Sequence, residues 1–390
     1  MINFCFDSLG EYGIGYPNLA QPGLGPEQFD TTWPYSIPNR LQMYLDSERV
    51  PFGVWPVTSA PRNSWYPISI AWHDFECDYF SLLSDVVKTR LQRQEIKILF
   101  YYHEGDNPYR IKQRFDQCCQ QQQLPIDCYR FISANSAANN IENFYYFCDH
   151  ESFLKYVNRL QPAVTATGQP RDHVFTALTR SHKWWRATVM SQLHNENLLE
   201  RSLWSYNTKC LVGDLPEDNP IPMLDYEREL MQKFVDNGPY YCDSDNADAH
   251  NDHRSIAEHL YTHSYCHLVL ETLFDADQSN GAFITEKTYK CIKFGQPFII
   301  IGTAGSLQVL RDAGYRTFDH AIDNSYDFIN NNQQRWTAVK QTIAKIKQEN
   351  IHEWYLKCLP DIQHNQQVFN NTVPSLTNIV SLLTADRNAV

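Results

Sequence analysis

Two apolar runs constrain this chain more than any other feature. Cys266–Leu270 and Pro297–Ile301 each read as a short buried strand, the first ending in Glu271 and the second in Gly302, and Thr285-Glu286-Lys287 opens a helix between them. Strands buried on both faces and joined by a helical crossover belong to parallel sheets. In such sheets ligands gather at the carboxyl ends of strands and at helix N-termini. Glu271, Thr285, Glu286, Lys287, Gly302 and Thr303 are therefore expected around one crevice suited to an anion.

The same alternation runs through most of the chain. Upstream, strand Ile68–Trp72, helix Tyr79–Gln92, strand Lys97–Tyr102, helix Asn107–Gln121 and strand Cys128–Ser133 form a β-α-β-α-β series. A second series follows: strand His173–Leu178, helix Lys183–Asn195, strand Leu203–Ser205, helices Leu224–Phe234 and Asp252–His259, and then the segment described first. The last helices are Ser306–Ala313, Gln333–Glu349 and roughly Ile351–Asn370. At 390 residues the chain exceeds what one core usually organises. The expectation is α/β with two Rossmann-like, doubly wound domains and an intervening cleft. Residues 1–65, rich in Pro, Gly, Trp and Tyr, read as an irregular N-terminal extension. Residues 66–165 read as the first domain, 171–330 as the second, and 331–390 as C-terminal helices with a return to the first domain left open. Gln161–Pro170 is the candidate linker, after a helix Glu151–Leu160.

Charge and cysteine usage narrow the function classes. A formal net charge of −12 disfavours bulk nucleic-acid binding, because the surface field repels polyanions. Eleven cysteines, an odd number without a CxxC pair, suit neither a disulfide framework nor a zinc site, and a reducing cytoplasm is expected. The start lacks a basic and apolar leader, and no run of about 18 apolar residues suggests a membrane span.

Three constellations carry chemistry. Phe175–Ser181 runs from a strand into a hydroxyl-bearing turn, followed by Lys183 and Arg186 on a helix. Arg180 and Arg186 could clamp a diphosphate with the turn's backbone N–H groups, Thr179 and Lys183 being further donor-site candidates, or Trp184 and Trp185 could pack a core face and leave the cations as surface charge. Glu286-Lys287 could be a helix cap and a solvated lysine. Beside Glu271 and Thr285 it also suits a nucleotide sugar, with Glu accepting hydroxyls and Lys neutralising phosphate. In YYHEGDNP, Gly105 turns the chain and Asp106 or Asn107 caps a helix that starts at Pro108. Glu104 and His103 have no such duty, so either could be a general base, Glu104 in preference. Asp243-Ser244-Asp245 and Asp275-Ala276-Asp277 match a metal-holding Asp-x-Asp, a pattern common by chance, and no metal ligand or cofactor is assigned.

The run HLVLETLFD to FITEKTYKCIKFGQPFIIIG, His267–Gly302, resembles the donor-binding motif of α1,3-fucosyltransferase-like enzymes. FTALTRSHKWWRATVMSQL is similar to the strand, turn and helix in which that family's arginine contacts donor phosphates, and Arg186 matches it by position. The chain also looks like bacteriophage glycosyltransferase-like proteins, sharing YYxEGDNP and, near Gly314–Phe318 and Asp323–Asp327, a GxxTF and SYD ending. Glu271 is followed by Thr-Leu and not Asn, so no fucose donor is implied. The resemblance implies a GT-B glycosyltransferase, inverting and metal-independent, in which Arg186 and Lys287 neutralise the leaving diphosphate. Glu271 and Glu286 would hold ribose and sugar hydroxyls, and Glu104 would deprotonate the acceptor. The partners expected are a nucleotide diphosphate sugar and a glycan or other hydroxyl acceptor. The alternatives are a phage-type transferase acting on a hydroxymethylated DNA base in the host cytoplasm, or a non-catalytic sugar- or nucleotide-binding protein.

Overall fold

The computed structural model of the chain describes residues 1–6, 45, 49–70, 74–157, 164–209, 219–242, 257–275, 280–371 and 376–385. The chain divides into two compact units, Met1–Asp149 with Pro374–Val390, and His150–Val373. Each is built on an all-parallel sheet, as expected for two Rossmann-like α/β domains.

Among the described residues the first unit carries six strands: β1 (Ile2–Phe6), β2 (Phe52–Pro56), β3 (Ser64–Ile70), β4 (Ile96–Tyr102), β5 (Tyr129–Ser133) and β6 (Phe144–Tyr146), in the order β2-β1-β3-β4-β5-β6. Two of them overturn the reading of residues 1–65 as irregular. INFCF and FGVWP pair in parallel from Ile2 against Phe52 to Phe6 against Pro56. Their apolar content was hidden by the Pro- and Gly-rich residues between them, and residues 7–44 lie outside the described part. Helix α1 (Asp85–Gln92) begins later than Tyr79, because Ser84 caps it by accepting from the Val87 N–H. Tyr79 and Phe80 instead join an aromatic core in which Phe80 stands edge-on to Phe100 at 5.5 Å and Phe115 at 5.6 Å. Helix α2 (Pro108–Gln121) starts as the Asn107-Pro108 pair predicts, with the Asn107 side chain accepting from the Tyr109 and Arg110 N–H groups. Asp106 is not the cap; its carboxylate accepts from the Tyr102 hydroxyl.

The second unit begins with α3 (Asp149–Val157), which the division leaves almost wholly in that unit. The boundary therefore falls at 149/150 and not in the 161–170 stretch. Contacts decide it: Glu151 accepts from the Tyr315 hydroxyl at 2.6 Å, and the Lys155 ammonium lies 5.0 Å from the Phe369 ring centre. Ala166 donates its N–H to Gln366 at 3.0 Å, so the intended linker is itself docked. The sheet comprises β7 (His173–Thr179), β8 (Leu203–Tyr206), β9 (Ser264–Leu270) and β10 (Phe298–Ile301), ordered β10-β9-β7-β8. Its helices are α4 (Trp184–Asn195), α5 (Asp225–Asp236), α6 (Glu258–Thr262), α7 (Glu286–Lys293), α8 (Ser306–Asp312), α9 (Asn332–Gln348) and α10 (Ile351–Asn371). The expected helix at 252–259 lies largely outside the described residues. Of 331–390, α9 and α10 stay with the second unit and only the final segment returns to the first. There α11 (Leu376–Ala385) buries Ile379, Leu382 and Leu383 against Ile2, Phe4, Trp65, Leu99 and Ile132, and the Trp65 indole donates to the Leu383 carbonyl at 3.1 Å.

Numbered within each unit, both sheets open in the order 2-1-3-4. In the second unit the direction of winding reverses between β7 and β9. A reversal of this kind opens a crevice at the carboxyl ends of the two flanking strands, where open α/β sheets bind ligands.

Candidate active site

All seven residues of β9 are buried, and the strand delivers Glu271 to its carboxyl end with no exposed surface. The Glu271 carboxylate is fully engaged. One oxygen accepts from the Thr285 N–H at 3.2 Å and the Thr288 hydroxyl at 2.7 Å; the other accepts from the Thr285 hydroxyl at 2.5 Å. Thr285 is the N-cap of α7, so Glu271 ties the helix start to the end of its neighbouring strand. Gly302, just after β10, permits this close packing, since a Cβ there would meet the Glu271 Cβ at 3.2 Å. Glu271, expected to hold substrate hydroxyls, and Thr285, expected at the donor site, are both buried, and their polar atoms are taken up by each other, Thr288 and Lys287. Gly302 and Thr303 offer no anion site either. The N-terminus of α8 already binds the Asp327 carboxylate, which accepts from the Leu307 N–H at 3.1 Å and the Gln308 N–H at 3.2 Å.

Lys287 and Glu286 are partly exposed, with side chains 28% and 18% accessible. The Lys287 ammonium donates to the Thr272 hydroxyl at 3.1 Å and the Thr285 hydroxyl at 3.0 Å, and stands 3.9 Å from both Glu271 and Glu286. Glu286 meets the Nδ1 of His150, on α3, at 3.2 Å. Burial pushes the Glu286 carboxyl up, but Lys287, His150 and Lys290 overcome it and hold the group well below the usual carboxylate range.

Across the winding reversal, β7 ends in Thr179, whose buried hydroxyl has no hydrogen-bond partner among the described residues. Helix α4 follows, with Lys183 at its N-cap and no side-chain cap, so its first amides are not satisfied from that side chain. Arg180 is exposed and Lys183 partly so. Arg186 is not an open phosphate clamp. The residue is 4% exposed, and its guanidinium donates to the Glu271 carbonyl at 2.7 Å and the Ser181 carbonyl at 3.3 Å. The effect is to fasten the N-terminus of α4 to the end of β9, and hence, through Glu271 and Thr285, to the N-terminus of α7. Of the two tryptophans read as a core face, Trp185 packs there, stacked on Phe274 at 5.2 Å, whereas Trp184 is exposed.

Two contributors were missed in the sequence. His150 lies 136 positions from its partner Glu286, in a helix whose sequence gives no sign of the pairing. Arg335, on α9, is 1% exposed and donates to the carbonyls of Gly302 (3.0 Å), Ile329 (2.8 Å), Asn330 (3.0 Å) and Phe274, and to the Asn332 side chain (2.7 Å). It thereby locks the segments that leave β9 and β10. Burial lowers its pKa to about 10.

In the first unit, Glu104 follows β4 and its side chain is 21% exposed, with the buried His103 imidazole 3.6 Å away. Asn135 holds the turn by donating to the Gly105 carbonyl at 2.7 Å and accepting from the Ala137 N–H at 2.9 Å. Of this pair only Glu104 reaches solvent. Winding in this sheet reverses between β1 and β3, so Glu104 stands one strand beyond the reversal. Of the Asp-x-Asp pairs, Asp275 accepts from Asn332 at 3.0 Å, and Asp243, Asp245 and Asp277 lie outside the described residues. Among the described residues no three His, Cys, Asp or Glu side chains gather as a metal-binding group, and no helix is long and apolar enough to cross a membrane.

No protein-family model matches the chain, and neither does any curated protein. Two solved structures are similar. One is the DNA modifying enzyme β-glucosyltransferase, in the presence and absence of uridine diphosphoglucose, at 10% identity and a TM-score of 0.40, covering 100% of this chain and 99% of that one. The other is a mutant of the T4 phage protein BGT in complex with UDP-glucose, at 10% identity and a TM-score of 0.36, covering 91% and 95%. The resemblance to α1,3-fucosyltransferase-like enzymes is not shown by either. At this identity and these TM-scores the likeness assigns neither activity nor substrate to this chain.

Proposed function

We propose that the protein is an inverting, metal-independent GT-B glycosyltransferase that moves a sugar from a nucleotide diphosphate sugar to an acceptor hydroxyl. The observation that carries this reading is the chain of contacts Arg186–Glu271–Thr285, which brings the N-termini of α4 and α7 together where winding reverses between β7 and β9. Helix N-termini present N–H groups and partial positive charge, so two of them side by side suit a diphosphate better than a single phosphate.

The chemistry follows from what surrounds these ends. The diphosphate lies against the amides of α4 and the Thr179 hydroxyl, with Arg180, Lys183 and Lys287 as counter-charges. Glu286 accepts ring hydroxyls. Arg186 acts through its buried charge and not by direct contact. As the bond from the anomeric carbon to the diphosphate breaks, negative charge grows on the leaving oxygens, and the fixed dipoles and cations stabilise it without a divalent ion. Glu104 takes the proton of the acceptor hydroxyl as its oxygen attacks the face opposite the diphosphate, which inverts the anomeric configuration. The net charge of −12 favours a saccharide acceptor over DNA.

Thermal-shift screening against UDP, GDP, CMP and dTDP sugars tests the donor site, because a ligand that binds only the folded state raises its melting temperature. The sugar that binds is then offered with saccharide acceptors and, separately, with DNA carrying hydroxymethylated bases, each with and without EDTA. A protein that no nucleotide sugar stabilises ends the proposal. Activity abolished by EDTA ends its metal-independent form, and binding without transfer to any acceptor favours the non-catalytic reading.

A further inference from the structure

The pairing of His150 with Glu286 joins the first turns of α3 and α7 through side chains alone. His150 comes from α3, and its ring stands edge-on to Phe283 at 5.4 Å, two residues before the N-cap of α7. A carboxylate only accepts, so at 3.2 Å the His150 Nδ1 must carry the hydrogen and donate to the Glu286 Oε2. Next along the chain, Glu151 takes the Tyr315 hydroxyl at 2.6 Å, and the Tyr315 ring stands edge-on to Tyr289 of α7 at 6.1 Å. Helix α3 therefore meets α7 directly at His150 and, through Tyr315, at Glu151. Glu286 is the first residue of α7, and its Oε1 stands 3.9 Å from the Lys287 ammonium. The imidazole holds the other oxygen. It occupies Oε2 and leaves Oε1 with lone pairs to spare, in a side chain 18% exposed.

We propose that His150 is a positioning residue of the donor site, fixing the Glu286 carboxylate so that Oε1 accepts hydrogen bonds from a pair of ring hydroxyls on the nucleotide sugar. The assignment rests on the donor-site reading above. The hydroxyls belong either to the nucleoside ribose or to the transferred sugar, and the two sources share the same chemistry.

The test uses the full chain and whichever of the UDP, GDP, CMP and dTDP sugars the wild type binds. His150→Ala is expected to raise the donor KM about tenfold, the scale of one hydrogen bond to a charged group, with kcat nearly unchanged and only a small fall in melting temperature. His150→Asn, whose amide nitrogen stands near the lost Nδ1, restores the KM; His150→Gln, which reaches instead toward the Nε2 position, does not. Affinity for the free nucleoside diphosphate separates the two sources: it falls in His150→Ala if ribose is held and is unchanged if the transferred sugar is. The inference is overturned if His150→Ala keeps the wild-type KM, or if all three variants lose melting temperature and activity alike, as a purely structural role requires. A wild type that binds no nucleotide sugar removes the donor site and this assignment with it. A functional wild type with an indifferent His150→Ala removes this assignment alone.

Discussion

Glu271→Gln discriminates between a carboxylate that touches substrate and one that holds the site together. The amide oxygen can take the place of Oε1 and keep the Thr285 N–H and Thr288 hydroxyl bonds at 3.2 and 2.7 Å. The amide nitrogen then replaces Oε2, which now accepts the Thr285 hydroxyl at 2.5 Å. To avoid two donors facing each other, that hydroxyl must turn and accept. It already accepts from the Lys287 ammonium at 3.0 Å and stands 3.5 Å from the Lys287 N–H. The substitution therefore removes one bond to a carboxylate, crowds the cap of α7 and strips Lys287 of a buried counter-charge. With hydrogen bonds to charged groups contributing roughly 1.5–3 kcal/mol, the loss is about 3 kcal/mol. For a unit of this size that lowers the melting temperature by about 6–12 °C. Differential scanning calorimetry of the ligand-free chain reads it directly. If Glu271→Gln melts with the wild type while only the donor KM rises, the carboxylate contacts ligand and the scaffold argument is wrong.

Further outcomes follow from other parts of the molecule. Glu104→Gln should abolish transfer while leaving the thermal shift by the nucleotide sugar intact; transfer at the wild-type rate would move the base elsewhere. Because the Glu286 carboxyl is held well below its ordinary value of 4.5, its contribution to stability is complete above that value and fades as pH falls toward the lowered one. Acid titration of melting temperature should accordingly be flatter below about pH 4.5 in Glu286→Gln than in the wild type, and identical profiles would contradict the pairing. Leu383→Ala, at a position with no exposed surface in the first unit's core, should cost about 2–5 kcal/mol of that unit's stability, seen in hydrogen exchange of β1, β3 and β4. An unchanged exchange rate there would show that α11 contributes little.

The elements with strong periodicity were legible. IKILFYY, HVFTALT and SYCHLVL are continuous apolar runs because parallel strands bury both faces, and all three are strands where the pattern puts them. The first two strands were not legible. Five residues of INFCF and five of FGVWP carry too little pattern to stand out beside Pro- and Gly-rich neighbours, and their pairing spans 50 positions of chain. The unit boundary was misjudged for a related reason. A Pro, Thr and Gly stretch signals irregular backbone, but only contacts such as that of Ala166 with Gln366 show whether the backbone is docked. At the site the sequence picks out the polar residues, and three of them are engaged with one another in the fold. Glu271, Thr285 and Arg186 look like ligand contacts when read singly, since each could serve a phosphate or a hydroxyl. Only the distances among them show that they satisfy one another, and only the fold brings in His150 and Arg335.

The distribution of charge then bears on the class of ligand. The eight residues Thr179–Arg186 contain Arg180, Lys183 and Arg186 and no acid, in a chain whose net charge is −12. A polyanion such as duplex DNA is held by a stripe of cations that neutralises many phosphates, and the surrounding negative field opposes it along its whole length. A nucleoside diphosphate needs neutralisation at one point. Two helix N-termini and a few lysines and arginines suffice, and the acidic surface beyond a Debye length of about 8 Å is largely screened from it. The Arg186–Glu271 contact makes that local concentration possible, because the buried guanidinium, donating to the Glu271 backbone carbonyl, holds both helix ends at the carboxyl ends of β7 and β9. Raising the ionic strength from 0.05 to 0.5 M should thus weaken binding of the nucleotide sugar only modestly. A steep loss, of the order seen when six or more phosphates are released from cations, would point instead to an extended polyanion as the true ligand.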